Sequence, residues 1–156
     1  MSKTIRNLVL AVFGLAILGL GQAGAAFAAD PEHAIKYRKV TMKALGGHMG
    51  ATASIVSGKA GPVSHLPLHI AALSDISRMV KDLFPEESDF GETTALAKIW
   101  DDKAAFAKEL KSFESAVAGL VKTAGGGDMA ATGKELGKVG KTCKSCHENF
   151  REKKKR

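Results

Sequence analysis

The sequence predicts an all-α protein, an antiparallel up-down four-helix bundle. Apolar residues recur at three-, four- and seven-residue steps in four separate segments, the spacing of one helical face. Strand-type alternation and hairpin turn pairs do not occur. Glycine- and proline-rich stretches fall between the segments, where such a bundle needs its turns.

The first helix is predicted from Pro31 to Ser57. Asp30 before Pro31 makes an N-cap and N1 pair. Its stripe is Ile35, Arg38, Met42, Leu45, Met49 and Val56. Gly46-Gly47 inside it weakens the helix by about 1 kcal/mol per glycine. GKAGP, Gly58 to Pro62, is a breaker loop. The second helix is predicted from Leu66 to Phe84, with Ile70, Leu73, Ile76, Val80 and Leu83 on one face. PEESDFG, Pro85 to Gly91, reads as a loop longer than a tight turn. The third helix is predicted from Ala95 to Thr123, its stripe running from Leu96, Ile99 and Trp100 through Phe106, Leu110 and Phe113 to Val117 and Leu120. Gly125-Gly126-Gly127 breaks the chain and Asp128 caps a fourth helix, Met129 to Arg151. Leu136, Val139, Cys143, His147 and Phe150 share one side of it. Met49, Met79 and Met129 are further core candidates. Alanine is abundant along the stripes and only 6% of residues are aromatic, so these side chains fill little volume. Something else is expected to occupy part of the core.

A length of 156 residues suits one small domain. Lys3 and Arg6 precede an apolar run over 8–20, and Ala26-Phe27-Ala28 follows as an A-x-A site. This is the three-part pattern of a secretory signal peptide. The apolar run is shorter than the ~20 residues of a bilayer span. Residues 1–28 are therefore expected to be a cleaved export signal, and 29–156 a mature domain bound for the periplasm. Cleavage removes two cations and no acid, so the formal charge drops by two from +7 to +5. Much of the rest sits in the tail REKKKR, Arg151 to Arg156. Such runs are usually solvated termini. With export, nucleic acid is not expected as a partner, and an acidic redox protein is.

Cys143-Lys144-Ser145-Cys146-His147 is C-x-x-C-H, the attachment pattern of c-type haem. Two thiols three residues apart lie on neighbouring sides of one helical turn and suit two vinyl groups of one porphyrin. The following His suits the iron, for which neutral imidazole is a strong axial ligand. Other readings fit less well. A thioredoxin-like C-x-x-C wants a βαβ context. A structural zinc site wants four ligands, which His33, His48, His65 and His69 would have to complete. Those histidines are expected to be ordinary surface or loop residues. A simple disulfide between Cys143 and Cys146 is the plainest alternative in an oxidising compartment. The expectation is one haem c per chain, attached through Cys143 and Cys146. No Met follows His147, so any sixth protein ligand must come from upstream.

The chain resembles cytochrome c′ and its low-spin relatives, the class II c-type cytochromes. Lys36-Tyr37-Arg38, Leu83-Phe84-Pro85, Ile99-Trp100 and CKSCHENFR, Cys143 to Arg151, carry the resemblance across the mature chain. It implies a four-helix bundle with haem between the helices, and a homodimer formed through the first two. It implies His147 as the proximal ligand, with Arg151 one turn beyond. Arg38 then matches a first-helix Arg near the haem, suited to a propionate, with Lys39 beside it. Thr93 and Thr94 fall where the family contacts the haem edge or propionates, although the Pro usual before the Trp is absent. Met42 matches the first-helix position facing the distal side of the iron. A Met42 sulfur on the iron implies a low-spin electron carrier with a raised potential. A Met42 that only packs there implies five-coordinate, high-spin iron that admits NO or CO. The expected function is electron transfer in the periplasm, with gas binding as the alternative. Enzymatic activity is not expected, since the sequence offers no distal acid–base His.

Overall fold

The computed structural model describes residues 30–153. The expected export signal and the last three tail residues lie outside the described residues.

Helix α1 (Pro31–Val56) starts at its expected cap, where Asp30 Oδ1 accepts the Glu32 N–H at 2.9 Å. The turn after it passes through Gly58 and Gly61, both with positive φ. A Cβ on Gly61 would lie 2.9 Å from Ile55 Cγ1, so only glycine closes this corner. A 3₁₀ turn at Val63–His65 leads into α2 (Leu66–Met79).

Two predicted helices differ from the observed ones. The second stops being α-helical at Met79 and tightens into a 3₁₀ turn, Val80–Leu83. Helix ends commonly tighten in this way, and Pro85 disfavours helical backbone at Phe84. Val80 and Leu83 stay buried while Met79 is exposed, so Met79 is not a core residue. The third helix is broken into α3 (Lys98–Asp101) and α4 (Lys103–Ala124). Asp102 makes the break: its backbone leaves the helical region and its Oδ1 accepts the Ala105 N–H at 3.0 Å. An Asp inside a helix competes for backbone donors, and here that competition starts a new helix. Ala95, expected at the helix start, instead forms an isolated antiparallel bridge with Arg151. The Leu96 N–H donates to Phe150 O, and the Glu152 N–H to Thr94 O. Helix α5 (Met129–Phe150) is capped by Asp128, whose Oδ1 accepts the Ala131 N–H at 2.9 Å.

The four long helices pack in a ring, α1 on α2, α2 on α4, α4 on α5 and α5 back on α1. Three close approaches show the antiparallel sense. Val56 at the end of α1 lies against Gly133 at the start of α5. Glu135, early in α5, meets Gly119, late in α4. Leu66 and Ile70, early in α2, border a cavity with Val121 and Ala124 at the end of α4. Leu45, Leu73, Val117, Leu120 and Val139 are central to the main apolar core. A smaller cluster of Ile99, Phe106 and Phe150 packs against Phe84 and Trp100 at the end that carries the bridge. The observed architecture is the predicted four-helix bundle, with one short extra helix.

Candidate functional site

The C-x-x-C-H segment lies in the last two turns of α5. Its three chemical groups open onto one cavity of about 240 Å³. Cys143, Cys146 and His147 line it from α5, together with Gly140 and Thr142. Met42, Leu45, Gly46 and Met49 line it from α1. Glu109, Leu110 and Phe113 come from α4, and Val80 from the 3₁₀ turn. A Cβ placed on Gly46 or on Gly140 would meet nothing within 4 Å, so both glycines leave backbone open to the cavity. An apolar space between three helices, with two thiols and an imidazole within five residues, fits a flat macrocycle held by two sulfurs and one nitrogen.

The electrostatics suit neutral ligands. Burial pushes the Cys143 thiol up. It pushes the Cys146 thiol up to about 11, and the Glu109 carboxylate adds to this. Glu109 is held in place by the Ser145 hydroxyl at 3.0 Å. His147 is shifted down, first by burial and then by the positive charge of Arg151. The imidazole is therefore biased to the neutral form that ligates a metal. Arg151 itself is exposed, and its backbone N–H donates to His147 O at 3.3 Å.

Arg38 is buried beside the cavity among protein acceptors. It lies one turn before Met42 on α1 but does not line the cavity. Its Nη1 donates to Leu83 O and Ser88 Oγ, and its Nη2 to Ser88 O and Thr93 Oγ1. The guanidinium also stands over the rings of Phe84 and Trp100, 4.9 and 5.8 Å from their centroids. Four of its five N–H donors are thus engaged with the end of the 3₁₀ turn and the loop before α3. No carboxylate pairs with it among the described residues. Lys39 Nζ donates to Glu92 O at 2.9 Å on the surface. Thr93 Oγ1 accepts from Arg38 and from the Ala95 N–H, and Thr94 is exposed. The structure therefore brings Cys143, Cys146, His147 and Met42 together, and sets Arg38, Lys39, Thr93 and Thr94 around an adjoining loop. Glu109 and Gly140 are cavity residues with no local signal in the sequence, and Gly46, which stands out there only as a weak point of the first helix, lines the cavity as well. The spacing of Gly46 one turn after Met42 was the available signal.

A helical bundle whose last helix turns C-x-x-C-H into an apolar interhelical cavity defines a haem-binding bundle. The chain belongs to the cytochrome c′ family, whose profile matches residues 33–151. Cytochrome c′ of Pararhodospirillum photometricum is 36% identical over 125 residues, covering 80% of this chain and all of that one. The crystal structure of cytochrome c′ from Rubrivivax gelatinosus superposes with a TM-score of 0.73 at 31% identity, covering 78% of this chain and 97% of that one. A ferrous variant of the Alcaligenes xylosoxidans protein with bound NO gives 0.74 at 28% identity, covering 81% and 98%. A further variant of that relative is solved with carbon monoxide bound. The cofactor of this chain is one haem c, attached through Cys143 and Cys146, the only two cysteines in the sequence.

Proposed function

We propose that the protein is an exported single-haem cytochrome whose iron is held by His147 and keeps its sixth position open to a diatomic ligand such as NO or CO. One observation carries the reading: apart from His147, the cavity lining contains no imidazole, amine or phenol. Leu45, Val80, Leu110 and Phe113 make the space apolar, which admits small uncharged molecules and excludes anions. The NO- and CO-bound relative supports this reading over electron transfer, which sequence alone had placed first. Haem c, when bound, supplies the iron and its open coordination position. Burial, with the positive charge of Arg151 adding to it, biases His147 to the neutral form, and Arg38 holds the loop beside the site with no carboxylate paired to it among the described residues.

Met42 favours a second reading. Its residue lines the same cavity as His147, which supports a low-spin electron carrier with the Met42 sulfur as the sixth ligand. Absorption spectra of the dithionite-reduced protein, with and without CO, separate the two. Gas binding predicts a broad high-spin band that shifts with CO, and a Met42→Ala variant with the same spin state. A sharp low-spin α band that ignores CO, and is lost in Met42→Ala, would establish the electron carrier instead.

Binding rather than catalysis is the role this reading assigns, and the hydrogen bond from Ser145 to Glu109, the one carboxylate in the cavity lining, supports it. The three-part pattern over residues 1–28 supports a periplasmic location. Exposed Tyr37 and Val40 on α1, with Leu68 and Met79 on α2, support a homodimer through those helices.

A further inference from the structure

Away from the cavity, two histidines meet between α1 and α2. The Nδ1 atoms of His48 and His69 stand 3.0 Å apart, with ring centroids 5.2 Å apart and the rings tilted by 55°. They are twenty-one residues apart in sequence, and both are half-buried. His48 lies well inside α1 and His69 in the first turn of α2, so both project from helical backbone. Thr52, fully buried one turn after His48, donates its hydroxyl to the His48 carbonyl at 2.8 Å.

We propose that His48 and His69 form a two-imidazole site for a borderline divalent cation, Cu(II) first and Ni(II) next. In the metal-free pair, one Nδ1 donates a hydrogen and the other accepts it. A cation takes the place of that shared hydrogen. The donor imidazole shifts its proton to Nε2, so both rings stay neutral and both Nδ1 lone pairs bind. With metal–nitrogen bonds of about 2.05 Å, the observed separation corresponds to an N–metal–N angle of about 95°. That is a cis pair of a square or tetragonal site, the geometry of Cu(II) and Ni(II), and it is narrower than a tetrahedral zinc angle. No cluster of three or more His, Cys, Asp or Glu surrounds the pair among the described residues. Water therefore completes the coordination, which suits a tetragonal cation and disfavours structural zinc, whose sites take four protein ligands. The site is independent of the haem reading, since neither histidine lines the haem cavity.

The test uses the haem-loaded protein titrated with Cu(II), followed by calorimetry and pulsed electron paramagnetic resonance. The expected result is one Cu(II) per chain with two coordinated imidazoles. His48→Gln and His69→Gln each keep a polar group of similar length, and each is expected to weaken binding by roughly tenfold or more. His33→Gln and His65→Gln are expected to leave binding unchanged. The haem absorption spectrum reports that each variant is folded. The wild-type resonance decides the matter without any variant: one coordinated imidazole, or none, overturns the proposal. Binding that survives both the His48 and His69 substitutions, or that is lost with His33 or His65, overturns it as well.

Discussion

Arg38 and Ser88, fifty residues apart, are joined by two hydrogen bonds, 3.0 Å from Nη1 to Oγ and 2.9 Å from Nη2 to the carbonyl oxygen. Both residues are buried, and the Ser88 hydroxyl in turn donates to Pro85 O at 2.8 Å. The guanidinium thus acts as the core of a loop that has little apolar residue of its own to bury. Arg38→Ala would leave the Leu83 and Ser88 carbonyls without their donors. Buried polar groups stranded in this way cost on the order of 1–3 kcal/mol each, so a loss of about 3 kcal/mol is expected. Urea unfolding should show a lower midpoint at unchanged slope. Arg38→Lys should recover less than half of the loss, because an ammonium cannot reproduce the planar fork.

The cysteines give a pH dependence that reports on haem attachment. The folded state raises the Cys146 thiol from 9.0 to about 11, chiefly by burial and then by Glu109. A raised pKa means that the folded chain holds its proton longer than the unfolded one. The associated stability is complete below about pH 9 and is lost as pH rises through about 11. The chain without haem should therefore lose stability across that window, and Glu109→Gln should narrow it. Attached sulfurs carry no proton, so the haem-loaded protein should lack this step. Unfolding midpoints measured from pH 8 to 11 on both forms check the difference.

Gly46 tests the cavity. Its missing Cβ faces open space, and glycine inside a helix is about 1 kcal/mol less favourable than alanine. Gly46→Leu is expected to raise helix stability in the haem-free chain while filling room that the macrocycle uses. Haem content per chain should fall with far-ultraviolet helix signal unchanged.

Asp102 tests the helix break. Asp102→Ala removes the cap on the Ala105 N–H and is expected to destabilise by about 1 kcal/mol. Asp102→Asn keeps a side-chain oxygen and should retain most of that stability. Thermal unfolding of the two variants side by side makes the comparison.

Periodicity and breakers were enough to reveal four helices, because each long helix must turn one apolar stripe inward, whatever its neighbours are. The starts of α1 and α5 were legible for the same local reason: Asp30 and Asp128 cap donors a few residues away. The break at Asp102 was harder to see, since the apolar stripe continues across it and periodicity does not register a single residue that leaves the helix. The C-x-x-C-H motif also announced its chemistry locally, as its ligands lie within five residues.

The partners of Arg38 could not be read in advance. Its place on the apolar stripe marked it as buried, but what a buried guanidinium pairs with depends on which loop folds over it. Here Leu83, Ser88 and Thr93 use its donors, a structural role that spacing along the chain does not reveal. The meeting of His48 with His69 is of the same kind. Nothing in either helix alone predicts a 3.0 Å approach, because it depends on how α1 and α2 cross. The sequence by itself determined the bundle, the haem attachment residues and the stripe that carries Met42. Only the tertiary structure decided which polar side chains meet, because such contacts are set by helix packing and loop closure rather than by spacing along the chain.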